Sequence, residues 1–138
     1  MSVILTPGQA GDNPQLLPLL DQINVNREGR GRPRKRPGRV LADKAYSHPS
    51  TRAALRSRGI AFTSPERIDQ IERRRAKGSA GGRPPKFDAE LYRQRNTVER
   101  SFGRFKQWRG IATRYDKYAR TYLGGVLLAA IVIHARLG

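Results

Sequence analysis

Asp43 and Glu99 are the two carboxylates in this chain best placed to do chemistry. Hard divalent cations take carboxylate oxygens and water as ligands. Pairs of such ions support phosphodiester cleavage and transfer by activating the attacking oxygen and stabilising the leaving one. Glu99 lies in Asp88-Ala89-Glu90-Leu91-Tyr92-Arg93-Gln94-Arg95-Asn96-Thr97-Val98-Glu99-Arg100-Ser101-Phe102-Gly103-Arg104-Phe105-Lys106. This segment reads as one helix. At about 100° per residue, Tyr92, Arg95, Glu99, Gly103 and Lys106 share one stripe. A carboxylate is thus flanked by two cations and a phenol. Leu91, Val98, Phe102 and Phe105 form an apolar stripe beside it, so the acid is expected to border a buried face. Asp43 ends the short apolar run Arg39-Val40-Leu41-Ala42, read as a strand.

Residue types alone leave two readings of each acid. Asp43 is either a capping or turn aspartate or a metal ligand. Glu99 is either one half of an i,i+4 ion pair with Arg95 or a ligand. For Glu99 the two are compatible, because Arg95 can hold the carboxylate while no metal is bound.

The spacing Tyr92-x2-Arg95-x3-Glu99-x6-Lys106 resembles the signature around the last acid of DDE transposases from bacterial insertion sequences, the insertion-sequence four/five superfamily. The words Ala42-Asp43-Lys44-Ala45-Tyr46 and Gly110-Ile111-Ala112-Thr113-Arg114-Tyr115-Asp116-Lys117 extend the likeness, which covers residues 3–137. The resemblance implies that Asp43 and Glu99 are the second and third catalytic, metal-binding acids. It implies magnesium or manganese as cofactor, and the element's DNA ends as partner. Tyr92, Arg95 and Lys106 are then expected on the DNA backbone, the alternative being a solvated face. Arg30-Gly31-Arg32-Pro33-Arg34-Lys35-Arg36 resembles an AT-hook, which would put Arg32 and Arg34 on DNA as well, although a generic basic linker is the plainer reading. Gly82-Arg83-Pro84-Pro85-Lys86 is a weaker version.

In that family the first Asp precedes the segment that residues 2–11 resemble, and Asp12 does not replace it. Two acids make an incomplete cage. The chain is therefore expected to be a truncated or frameshift-encoded C-terminal portion, inactive alone, with the metal bound only by the complete site. A homodimer or an intact transposase is the expected protein partner. A non-catalytic basic DNA-binding protein is the alternative function, with RNA binding a third.

Composition agrees with a polyanionic partner. Lys and Arg number 28 against 11 acids, a formal charge of +17 spread along the 138 residues. Such a field favours nucleic acid. No cysteine is present, which removes disulfides and thiolate-held zinc. His48 and His134 form no recognisable site. The apolar run at 123–135 is too short to cross a bilayer, so no membrane partner is expected, and the cytoplasm, on the nucleoid, is the expected location.

These side chains need elements to position them. Residues 2–6 read as a strand before the turn Pro7-Gly8. A helix is expected near residues 16–23, with Pro18 an obstacle unless it falls in the first turn. Residues 25–38 and 67–86 read as basic mobile loops, the second with a brief turn at Ile68 and Ile71. A helix starting at Ser47 or Ser50 stops at Gly59, and residues 60–63 form the next strand. Asp88 is expected to cap the Glu99 helix, with Phe87 and Tyr92 as its staple and Gly110 as its end. Residues 118–137 form the last helix. The order predicts one α/β domain. By resemblance this is an incomplete ribonuclease H-like fold, a mixed sheet flanked by helices, lacking its first strand.

Overall fold

Strands β1 (Arg39–Leu41) and β2 (Ala61–Thr63) pair in parallel, with Arg39 opposite Ala61 and Leu41 opposite Thr63. A computed structural model describes residues 2–7 and 9–135. The protein is α/β and mostly helical. Helices α1 (Leu16–Asp21), α2 (Pro49–Ser57), α3 (Ile68–Ala76) and α4 (Ala89–Arg93) accompany the strands, followed by α5 (Asn96–Lys106), α6 (Arg109–Thr113) and α7 (Ala119–Ala135). The chain groups into two compact units. One holds residues 9–94 with Ser2; the other holds residues 3–7 and 95–135.

The first unit is built on Leu16, Leu20, Leu55 and Ile60, with Val40, Tyr46 and Phe62 packed against them. Its central device is the end of α2. Gly59 adopts φ +64°, a conformation that costs glycine nothing. Its N–H meets Arg56 O at 2.9 Å, and the Ile60 N–H meets Leu55 O at 2.9 Å. This is a Schellman closure, and its hydrophobic pair, Leu55 and Ile60, is part of the core. The chain thereby reverses straight into β2. A single 3-10 turn (Asn13–Gln15) leads into α1, so Pro18 falls in the first turn, where no intrahelical donor is needed.

In the second unit, Arg114 ends α6 in the left-handed region at φ 52°. Tyr122 Oη of α7 donates to Ile111 O of α6 at 3.2 Å. Ala129 of α7 is fully buried.

Several expected elements differ. Residues 2–7 form no strand, because an apolar run becomes one only when a partner supplies a hydrogen-bond ladder, and β1 and β2 bond only to each other. The expected single helix at 88–106 is two helices. Gln94 N–H closes on Leu91 O and Val98 N–H restarts on Arg95 O, so the ladder breaks between them. Gly110 does not end α5; it lies inside α6. The stretch from 67 carries a nine-residue helix, α3, where a single turn was expected. The turn at Gly8 and the last helix's end at Leu137 lie outside the described residues.

Candidate active site

Asp43 sits just past the C-terminal end of β1, the edge at which open α/β sheets hold their ligands. The backbone is extended there, and Asp43 Oδ1 accepts the Ala45 N–H at 2.8 Å. The carboxylate thus caps the 3-10 turn Lys44–Tyr46. The Asp43 carbonyl accepts Ser64 Oγ at 2.8 Å from the equivalent end of β2. Ser64 is buried, so this bond fixes the height of Asp43 over the sheet edge. Arg52 ties the same edge together. Its Nη2 donates to Ser64 O at 2.8 Å, its Nε to Ser47 O at 3.2 Å, and it lies 5.2 Å from the centre of the Phe62 ring. Burial pulls the Arg52 pKa down, opposed by the Glu66 charge. Burial first, then the charges of Asp12 and Asp43, hold the Tyr46 phenol above its ordinary range. Ser64 and Arg52 were not read as site residues from sequence. The one available signal was a Ser-Pro pair closing a strand, which looks like punctuation.

Glu99 stands in the first turn of α5, where the helix dipole favours an anion. Its Oε1 accepts Arg95 Nη1 at 2.8 Å. The Glu99 side chain is 61% exposed and that of Arg95 23%. The structure thus forms the i,i+4 ion pair with Arg95 that was one of the two readings of Glu99. Lys106 lies on the same face in the last turn of α5, about two turns on from Glu99.

The continuous stripe expected from Tyr92 to Lys106 is divided. Tyr92 belongs to α4 in the first unit, and Arg95, Glu99 and Lys106 to the second. The bordering apolar stripe is not buried as expected either: Phe102 is 61% exposed, and Val98 is exposed too. The local pieces hold. Asp88 Oδ1 accepts Leu91 N–H at 2.9 Å, and the Phe87 and Tyr92 rings pack at 5.3 Å. Arg32 and Arg34 lie on a loop pinched by a reciprocal Val25–Arg34 bridge, at 3.0 and 2.7 Å. Both are exposed.

The donor chemistry fits a hard divalent ion, since Asp43 and Glu99 offer carboxylate oxygens. Asp43 falls in the first unit and Glu99 in the second. Among the described residues, no three His, Cys, Asp or Glu side chains gather into a metal cluster. Nor is any described helix long and apolar enough to cross a membrane.

Comparison with known proteins supplies the wider context. The family model "Transposase DDE domain" matches residues 1–133. The chain is 34% identical over 119 residues to a Burkholderia cepacia protein named as a transposase for insertion sequence element IS402, covering 86% of this chain and 49% of that protein. It is 32% identical over 131 residues to a Brucella ovis protein named as a transposase for element IS6501, covering 95% of this chain and 85% of that protein. The chain thus spans about half the length of the first relative. No solved structure matches it.

Proposed function

Because this chain belongs to the DDE transposases of insertion sequences, we propose that it serves DNA transposition, with Asp43 and Glu99 as catalytic carboxylates for strand cleavage and strand transfer. The observation that carries this reading is Asp43 itself. A carboxylate stands just past the C-terminal edge of the parallel sheet, held there through its own backbone by Ser64.

Asp43 and Glu99 would hold magnesium or manganese as two of the acids that a DDE site uses. When bound, such ions activate the attacking oxygen and stabilise the leaving oxygen at phosphorus. The chain's own residues prepare for this. Ala45 N–H fixes the rotamer of Asp43 while leaving its charge. Arg95 keeps Glu99 on the correct face of α5 and offers a planar fork to a DNA phosphate once the carboxylate is engaged. Lys106 adds a point charge further along that face. Tyr92, Arg32 and Arg34 complete the DNA contacts. The working partners are the element's DNA ends and a second transposase copy, in the bacterial cytoplasm on the nucleoid.

One observation favours a second reading, a basic DNA-binding protein without catalysis: a charge of +17 suffices for sequence-independent binding. Manganese-dependent nicking of the element's ends by an intact transposase carrying this sequence separates the two. Asp43→Ala and Glu99→Ala are each expected to abolish nicking while DNA binding persists. Nicking that survives both substitutions rejects the catalytic reading.

A further inference from the structure

A cleft of about 780 Å³ opens between α2 and α3 in the first unit. One face of α2 forms a wall, through Pro49, Arg52, Ala53 and Arg56, the i, i+3, i+4, i+7 pattern of a single helix side. One side of α3 along its length, with Glu66 and Arg67 ahead of it and the chain that follows it, forms the other wall. Seven cations and two acids line the cleft. Both acids are already engaged. Glu66 Oε2 holds Arg74 Nη2 at 2.7 Å, and Asp69 holds Arg67 at 3.0 Å and Arg73 at 3.7 Å. Arg56, Lys77 and Arg83 are exposed and make no ion pair among the described residues. Each comes from a different element: α2, the C-cap of α3, and the segment after the 3-10 turn Gly78–Gly81. Arg74 Nε is buried in the cleft wall without a hydrogen-bond partner.

The third cation is held by tight packing. A Cβ on Gly81 would fall against the Arg74 carbonyl, so only glycine lets the 3-10 turn close on α3. Gly82 then turns the chain at φ +72°, which brings Arg83 and Pro85 onto the cleft. The Gly-Arg-Pro word at 82–84 thus has a definite place in the fold. The cleft also adjoins the Asp43 edge. Ser47 Oγ, in its lining, lies 2.7 Å from Lys44 O and 3.0 Å from Gln70 Oε1 and shares its one proton between them, linking α3 to the turn that Asp43 caps.

The geometry points to this cleft as a docking groove for the phosphate backbone of duplex DNA, with Arg56, Lys77 and Arg83 as its phosphate contacts. Three unneutralised cations on three elements present a fixed array to successive phosphates, where a mobile basic tail would present none. Single-stranded nucleic acid is bound by stacking bases on aromatic rings, and apart from His48 no aromatic ring lines the cleft. For its ligand, DNA, the inference rests on the reading above; for its location it rests on the cleft alone.

The test is binding of the full chain to a labelled duplex over a series of potassium chloride concentrations. The triple variant Arg56→Ala/Lys77→Ala/Arg83→Ala is compared with a charge-matched control, Arg109→Ala/Lys117→Ala/Arg120→Ala, drawn from exposed positions elsewhere. Circular dichroism verifies that both fold. The cleft variant is expected to lose about three units of log–log salt slope, near 0.9 per phosphate contact, and the control distinctly less. Arg83→Lys is expected to restore most of the slope lost in Arg83→Ala. Equal losses in the cleft and control variants, with wild-type binding intact, overturn the groove and leave the transposase reading standing. Absence of duplex binding by the wild type overturns both. Displacement of the duplex by single-stranded DNA or by RNA at lower concentration than by duplex DNA overturns the choice of ligand.

Discussion

Arg95 Nη1 donates to Glu99 Oε1 across 2.8 Å, one helical turn along α5. The cation precedes the anion, which is the weaker order for an i,i+4 pair, and the Glu99 side chain is 61% exposed. The pair is therefore worth only a few tenths of a kcal/mol. Glu99→Gln is expected to move the unfolding free energy, followed by urea titration, by less than about 0.5 kcal/mol. The same change is expected to lower strand cleavage at least a hundredfold, about 2.7 kcal/mol of activation free energy. A loss of stability large enough to explain the loss of cleavage would make Glu99 a structural residue.

Asp43 has a similar double aspect, which two substitutions separate. Asn keeps an oxygen for the Ala45 N–H, so Asp43→Asn is expected to retain wild-type stability. Asp43→Ala loses the cap and about 0.5–1 kcal/mol. Both are expected to be inactive in cleavage, because both lack the charge. Wild-type cleavage by Asp43→Asn would mean that the cap is the residue's whole role.

Two glycines predict opposite signs. Gly81→Ala forces the 3-10 turn away from α3, because the obstructing atom is the Arg74 backbone carbonyl. A destabilisation of more than about 1 kcal/mol is expected, with faster amide exchange at the end of α3. Gly103 lies inside α5, and open space surrounds its Cβ position. Gly103→Ala is expected to stabilise by about 0.5–1 kcal/mol through helix propensity. Thermal melts of the two variants measure both shifts.

Tyr46 predicts a pH dependence of stability. Its folded pKa is raised above 10.0, by burial and then by the charges of Asp12 and Asp43. Above its ordinary pKa the unfolded chain releases a proton that the folded chain keeps, so folding stability falls as pH rises between the unfolded and folded values. Below that window this contribution is fully present. Tyr46→Phe removes the titrating group. The wild type is therefore expected to lose more unfolding free energy than Tyr46→Phe as pH rises above 10.0, measured by denaturant titration at each pH. Parallel profiles would place Tyr46 in an ordinary solvent environment.

The features legible in sequence were those decided within a few residues. Asp88, Phe87 and Tyr92 form the cap and the ring pair because all three lie within six residues of chain. Gly59 marks the end of α2, and β1 and β2 fall within a residue of their expected bounds. Features set by distant partners were not legible. Residues 2–6 have strand composition but no ladder to join. The break between α4 and α5 falls at Gln94-Arg95, with neither glycine nor proline to mark it. The support of Asp43 comes from Ser64, 21 residues on, and no local pattern announces that bond. The cleft is assembled from Arg56, Lys77 and Arg83, which in sequence look like three members of a diffuse basic excess.

Thiol substitution with metal rescue addresses ligation by Asp43 and Glu99 most directly. The chain has no cysteine, so an introduced thiol is unique within it. Thiolates prefer softer ions to magnesium. In an intact transposase carrying this sequence, Asp43→Cys and Glu99→Cys are each expected to lose magnesium-dependent cleavage and to regain it with manganese or cadmium, while the corresponding Ala variants stay inactive with every ion. Full activity of either Cys variant in magnesium, or failure of softer ions to rescue a folded, DNA-binding variant, would contradict direct metal ligation by that residue.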